Sequence, residues 1–593
     1  MRKAGRFIVR ALAMSAASVV VLAGSGDEAT ALNYASEQPL SKDAYLTVTG
    51  HLPTVNAYSA LWLTKAALTR VVEQRHLAAL AAESPEARQL WDAQTTLRRE
   101  RERLLLTAVD ASKAKARDAG LDAIDEELRQ VREKLLPLLP ELKRAQEQAT
   151  RTPAELQKAL PVDVAFLDLL RYTRFEQDPN VKGKKGERRL PSYVAFVVTR
   201  DRIIRVELGE AKAIEATLHL WRQSLIEGAD AEPRYATAMY QELWAPLAKH
   251  LPSGLKKLYV SPDAALNRLP WPALLDEKKA RLLERYTLAV VPHGPYLLDH
   301  LTRPRNKTTE KPTLLALGGV SYDEKPAKPT ELALRSPASE GVTWKALPGT
   351  RKELEQLVAL AGDRRIVRRE GNTATVATLL SDLPRVEIAH LATHGFFADA
   401  RFRSVLQLDP QLFERVRGER VTAGARSPLV LSGLVCAGAN LPDTPNRGII
   451  TAEALVGLDL RKMHLAVLSA CETGLGETAG GEGVFGLTRA FHVAGCKNVV
   501  ASLWKVDDEP TAALMSLFYR QLWQSKEPIG PAEALRRAQL AMLHNPERIS
   551  EWAVGRGPLP KAISGSGKVE KPTEGKPGHA RVWAAFLASG LGD

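Results

Sequence analysis

The sequence predicts an α/β protein built on a mostly parallel sheet flanked by helices and preceded by an N-terminal helical arm. Three observations lead there. Two short apolar runs, at 386–395 and 464–474, are rich in Val, Leu, Ile and Ala and suit strands buried on both faces. From residue 161 onward, strand-like runs alternate with amphipathic stretches, the pattern of strands joined by helical crossovers. Between 58 and 149, Ala, Leu, Glu, Lys and Arg dominate and apolar residues recur at three- and four-residue steps, which is helical periodicity.

Taken in order, residues 1–31 stand apart. The first ten carry four positive charges, 11–24 are nearly all apolar or small, and Ala29-Thr30-Ala31 has the small-x-small form of a signal-peptide cleavage site. The apolar stretch is about fourteen residues, short of the roughly 20 that span a bilayer, so no stable membrane span is expected. Residues 32–160 form the helical arm, exemplified by Leu97, Leu104, Leu105 and Val109 and again by Leu128, Val131, Leu135 and Leu138. No 34-residue repeat is visible in it. Two readings stay open: a helical hairpin packed on the rest of the protein, or an arm that receives an activating protein partner.

Residues 161–303 read as an α/β subdomain, with strands at 193–199, 203–208, 258–261 and 287–291 and helices at 212–227 and 235–250. A polar, basic stretch near 301–312 marks the join to the final subdomain, 304–593. There the expected order is a strand at 314–317, a helix at 351–361, the runs ending at His394 and Cys471, a strand at 498–503 and a closing strand near 583–587. Two longer loops interrupt it, 398–447 and 555–580, the first expected to border the substrate cleft.

Composition narrows the function classes. With 45% apolar and 25% charged residues the chain can bury a large core and is not disordered. Cys436, Cys471 and Cys496 are odd in number and lack metal-ligand spacing, so neither a disulfide framework nor a zinc site is indicated, and no cofactor motif appears. The net charge of +13 is spread over many segments, including 98–103, 182–189 and 364–369, and reads as solvated surface. Without a recognition motif or interleaved aromatic platform, no nucleic-acid partner is expected.

His394 and Cys471 are the candidate chemistry. Both fall where buried strands stop, the place where α/β sheets bind and react, and both stand near glycines that let a substrate backbone come close. A thiol attacks only as thiolate, and a nearby imidazole both lowers its pKa and later protonates the departing amine. His390 and His394 have a spacing that could suggest zinc, but no Glu follows His390 and no third ligand is evident, so His390 is assigned to packing or support. Cys436 and Cys496 read as small hydrophobes.

The residues around the thiol also carry a family resemblance. Cys471-Glu472-Thr473-Gly474, then Gly481-Glu482-Gly483, Arg489-Ala490-Phe491, Ala494-Gly495-Cys496, Ser502-Leu503-Trp504 and Val506-Asp507-Asp508, resemble the CHAT peptidases, caspase-like clan CD relatives of separase. Leu243-Trp244-Ala245-Pro246, Leu269-Pro270-Trp271 and Leu347-Pro348-Gly349-Thr350 extend the resemblance upstream. It implies a caspase-like fold, with 161–303 a degenerate caspase-like half and 304–593 the catalytic half. It also implies a Cys-His dyad acting on protein substrates, with an oxyanion hole formed by the backbone N–H groups of Gly395 and Cys471. CHAT proteins of this kind are usually cytosolic and carry tetratricopeptide helices upstream. Residues 1–31 are therefore either the remnant of such helices or the signal peptide of an exported protein.

The stretch running through Trp504 resembles separase closely enough to place Asp508 on an aspartate near the cleft. Asp508, with Asp507, would then bind a basic P1 side chain. Equally, the two acids could cap the helix whose first turn holds Pro510 and Thr511. Two functions follow: a cysteine endopeptidase activated by a partner or by processing, or a catalytically silent interaction scaffold with a peptidase fold.

Overall fold

The computed structural model describes residues 39–49, 54–62, 84–106, 111–139, 150–303, 312–327, 343–397, 432–441, 448–472, 480–504, 507–556 and 577–593 apart from Lys182 and Ala470, with Thr444 and scattered positions between 65 and 148. The segment 1–31, most of the two long loops and the glycines following Cys471 up to 479 lie outside the described residues.

Five strands come from the first half: β1 (Val164–Gln177), β2 (Glu187–Val198), β3 (Ile203–Glu210), β4 (Lys257–Ser261) and β5 (Thr287–Val290). Ten follow: β6 (Leu314–Val320), β7 (Ile366–Gly371), β8 (Ile388–Leu391), β9 (His394–Phe397), β10 (Ser432–Val435), β11 (Ile449–Thr451), β12 (Leu465–Leu468), β13 (Cys471–Glu472), β14 (Asn498–Ser502) and β15 (Phe586–Gly590). Eleven of these make one sheet in the order β3-β2-β1-β4-β5-β15-β14-β12-β8-β6-β7. Parallel pairing runs from β1 through β4 and β5, and again from β14 through β12, β8, β6 and β7.

Alternation along each strand of the second half explains why both faces are covered. Leu314, Ala316, Ile388, Val467 and Val500 face one apolar core, while Leu315, Leu317, Ala389, Ala466 and Val499 face another. The helices can be numbered α1 (Pro39–Val48), α2 (Thr54–Leu61), α3 (Pro85–Leu106), α4 (Ala111–Leu135), α5 (Ala211–Glu227), α6 (Gly294–Thr302), α7 (Pro348–Ala361), α8 (Gly480–Val493), α9 (Asp508–Gln524) and α10 (Pro531–His544). α7 and α9 close the first core through Leu354, Leu357, Leu517 and Phe518, and α8 closes the second through Leu487, Ala490 and Phe491.

Several expectations change. β1, the longest strand, was not foreseen. Its run contains Asp168, buried and held by Tyr58 Oη at 2.7 Å and Lys65 Nζ at 2.8 Å, from more than a hundred residues upstream. β7 occupies the sheet edge where a solvated basic segment was expected, which suits Arg368 and Arg369, since charged residues blunt an edge against unwanted pairing. The closing strand follows a helical turn at Ala580–Trp583 and runs antiparallel to β14, so the sheet is not parallel throughout. The helix read at 235–250 is divided by a π-turn at Tyr240–Trp244.

Within the arm, α2 and the residues after it dock on the first half, where the Tyr58 and Phe196 rings stack at 4.3 Å. α3 and α4 lie near a small core of their own, formed by Leu77, Leu80, Ala81, Ala87, Leu135, Leu139 and Leu142. Among the described residues no helix is long and apolar enough to cross a membrane.

β15 is the seam between the halves, parallel to β5 and antiparallel to β14. His492 pins it. Its Nδ1 lies 3.0 Å from the Cys496 carbonyl and 3.0 Å from Tyr296 Oη on α6, and its Nε2 lies 2.8 Å from Ser589 Oγ on β15. Burial lowers its pKa from the ordinary 6.5 to about 4. The unfolded chain therefore binds more protons below pH 6.5, and stability falls as pH drops from about 6.5 through about 4, by about 3 kcal/mol at full effect. A His492→Gln variant should show a flatter dependence across that window in urea unfolding, and an unchanged slope would count against this residue as the source.

Candidate active site

The two runs that end in His394 and Cys471 do not continue straight through the sheet. Each breaks after its fourth core residue, β8 at Leu391 and β12 at Leu468, and resumes as β9 and β13 in a second sheet of order β11-β10-β9-β13. Register survives the break. Leu468 pairs with Leu391 in the main sheet, and Cys471 pairs with His394, and Glu472 with Gly395, in the small one. The bend on the histidine side is tied by Thr393, whose Oγ1 donates to the Val435 carbonyl at 2.5 Å and lies 2.9 Å from Tyr322 Oη.

The imidazole of His394 is buried and directed from one side. Its Nε2 is 2.7 Å from the carbonyl oxygen of Lys345. A carbonyl can only accept, so Nε2 carries the proton, and in the neutral ring the lone pair belongs to Nδ1. Tyr322 and Trp344 flank the ring at centroid distances of 5.1 and 5.3 Å. Burial pushes the Tyr322 phenol up to about 12, so it stays neutral beside the imidazole at physiological pH. Asn440 holds the approach in place by accepting from the Trp344 N–H at 2.7 Å and donating to the Trp344 carbonyl at 2.9 Å.

No residue type in the sequence marks a third group that orients the histidine. The orienting group is the Lys345 carbonyl, which sits just before α7. Main-chain oxygen leaves no trace in residue identity, although the neighbouring Leu347-Pro348-Gly349-Thr350 motif marks the segment.

The other candidates separate clearly. Gly395 lies on β9 between β10 and β13, paired with Leu434 on one side and Glu472 on the other, and Cys471 lies on the outermost strand of the small sheet. Asp507 precedes α9 but makes no side-chain cap; its carboxylate instead lies 3.4 Å from the Arg581 guanidinium. Asp508 packs over Gly349 at the start of α7, so closely that a Cβ on Gly349 would stand 2.2 Å from the Asp508 carboxyl carbon. Both acids are exposed. Cys436 and Cys496 are buried, and burial pushes each thiol up to about 12, which leaves them inert. His390 is buried between Glu353 and Tyr519.

A mostly parallel sheet between helical layers, with its candidate residues just past the carboxyl ends of β8 and β12, defines an α/β protein. The model of the CHAT domain family matches residues 233–591, more than half of the sequence, and the chain belongs to that family. Tetratricopeptide repeat protein 28 of Mus musculus is 27% identical over 284 residues, which cover 46% of this chain and 11% of that protein. Its Homo sapiens counterpart is 26% identical over 219 residues, covering 35% and 8%. The chain thus matches about a tenth of the length of these relatives. Among solved structures, a Saccharomyces cerevisiae separase–securin complex matches with a TM-score of 0.34 and 9% identity, over 98% of this chain and 40% of that one. A second structure of the same complex gives 0.33 and 10%, over 95% and 44%.

Proposed function

We propose that the chain is a cysteine endopeptidase in which Cys471 is the nucleophile and His394 the general base and acid. The observation that carries this reading is the parallel pairing of Cys471 with His394 where β13 and β9 begin, just past the carboxyl ends of β12 and β8. Neighbouring strands stand about 4.8 Å apart, so the paired backbone positions of His394 and Cys471 are direct neighbours. With Nε2–H held by Lys345, Nδ1 takes the thiol proton. The thiolate attacks the scissile carbonyl carbon, and the backbone N–H groups of Gly395 and Cys471 receive the developing oxyanion. The imidazolium then protonates the departing amine, and water, deprotonated by the same ring, hydrolyses the thioester.

Asp508 and Asp507 are the proposed acidic contacts for a basic P1 side chain, standing at the start of α9 beside the segment that holds His394. Their contacts with Gly349 and Arg581 support a competing structural role. An Asp508→Ala variant with unchanged preference for arginine would remove them from substrate binding. Activation through a protein partner on the helical arm, or through processing, belongs to the same proposal.

The test is labelling of new protein N-termini in cells expressing wild type or Cys471→Ala. Cuts present with wild type and absent with the variant are expected. Identical N-terminal profiles would leave the scaffold reading, which draws support from relatives named for tetratricopeptide repeats; retained cellular function in Cys471→Ala would favour it further.

A further inference from the structure

A buried carboxylate spans the two apolar runs that lead to the proposed dyad. Glu353, on α7, accepts from Ser469 Oγ through Oε2 at 3.2 Å, and its Oε1 lies 3.1 Å from His390 Nε2. Ser469 stands two residues before Cys471, and His390 stands four before His394. On its other side His390 Nδ1 is 3.0 Å from Tyr519 Oη on α9. Burial, and then the charge of Glu353, hold the Tyr519 phenol well above its ordinary range. Tyr519 therefore donates to Nδ1, and Nε2–H faces Glu353. The ring does not aim that N–H squarely at the oxygen, so the contact is electrostatic rather than a well-directed hydrogen bond. The groups facing Glu353 are thus His390 from β8, Ser469 from the β12–β13 link and, behind His390, Tyr519 from α9.

Stability alone is a weak reason for such a group. Burying a carboxylate costs several kcal/mol, and apolar replacements of similar volume usually serve folding as well. Its placement suggests a different task. The stretch from Lys345 to Glu353 touches the histidine run at two levels and the cysteine run at one, with the Lys345 carbonyl on His394 itself and the Glu353 carboxylate on His390 near the end of β8 and on Ser469 just after β12.

We propose that Glu353 is a positioning residue for the Cys471–His394 pair, holding the ends of β8 and β12 in the relation that lets the imidazole lower the thiol's pKa. The inference rests on the peptidase reading above. Small displacements of reacting groups are costly, since a misplacement of about 1 Å can lower a rate by about 10²-fold.

The experiment uses the full chain and iodoacetamide, with alkylation of Cys471 followed by peptide mass spectrometry across pH and Tm measured in parallel. Wild type should alkylate with a midpoint below the ordinary thiol value of about 8.5. Glu353→Gln should react about tenfold more slowly at pH 7 with its midpoint moved up toward that value, and Ser469→Ala should move the same way by less. Where a cleaved peptide is in hand, kcat should fall with KM unchanged, because Glu353 touches no substrate. A low midpoint in wild type that both folded variants retain, with Tm alone altered, overturns the positioning role and leaves the dyad standing. Absent labelling or an ordinary midpoint in wild type overturns the dyad, and this inference with it. If Glu353→Gln does not fold, Ser469→Ala decides: an unmoved midpoint overturns the proposal.

Discussion

A His394→Gln variant is expected to hydrolyse a peptide cleaved by wild type about 10²- to 10⁴-fold more slowly at neutral pH, the usual range for loss of a positioned acid–base group. Glutamine is chosen because its amide nitrogen reaches the place of the imidazole Nε2 and can still donate toward the Lys345 carbonyl, so the buried acceptor now met at 2.7 Å need not lose its partner. What it cannot do is take and return a proton. The thiol would then ionise unaided, and residual activity should climb as pH passes about 8.5, the value of an unassisted cysteine. Steady-state kcat/KM across pH, with thermal unfolding measured in parallel, checks both parts. Activity within tenfold of wild type in a folded variant would end the case for His394 as the base.

The largest effect on stability is expected from Gly590→Val. Gly590 ends β15 with φ of +107°, a conformation that side-chain-bearing residues rarely adopt, and a Cβ there would stand 2.1 Å from the Lys497 carbonyl oxygen. That oxygen belongs to the backbone leading into β14 and cannot swing aside. Strain of about 1–3 kcal/mol for the dihedral and about 1–3 kcal/mol for overpacking together predict a loss of about 2 to 6 kcal/mol. Gly254 supplies the control, because its φ is +84° with open space where a Cβ would go. Gly254→Val should incur only the dihedral strain, so equal losses in the two variants in urea unfolding would show that the clash contributes nothing.

Much of the second half was legible because its strands are buried on both faces and therefore read as unbroken apolar runs. The bends after Leu391 and Leu468 were not, since Ala392, Thr393 and Ser469 fit a strand as well as they fit a turn out of one. β1 escaped because a buried aspartate looks like surface until its distant partners, Tyr58 and Lys65, are known. Glu353 fell inside a helix that was expected, but nothing along the chain distinguishes an acid facing inward between two strands from one facing water. The opposed readings of Asp507 and Asp508 arose because a carboxylate near a helix start serves either purpose. Their neighbours, Arg581 and Gly349, come from remote segments.

The position of β15 has a consequence for biosynthesis. It lies between β5 and β14 yet follows both in the polypeptide, by 296 positions in one case and 84 in the other, counted from Val290 and Ser502 to Phe586. As the chain leaves the ribosome, two rows of unsatisfied peptide groups emerge well before the segment that will lie between them. Such rows recruit any extended neighbour. Until that late segment arrives, the nascent molecule is exposed to association with its own copies and depends on whatever shields those rows.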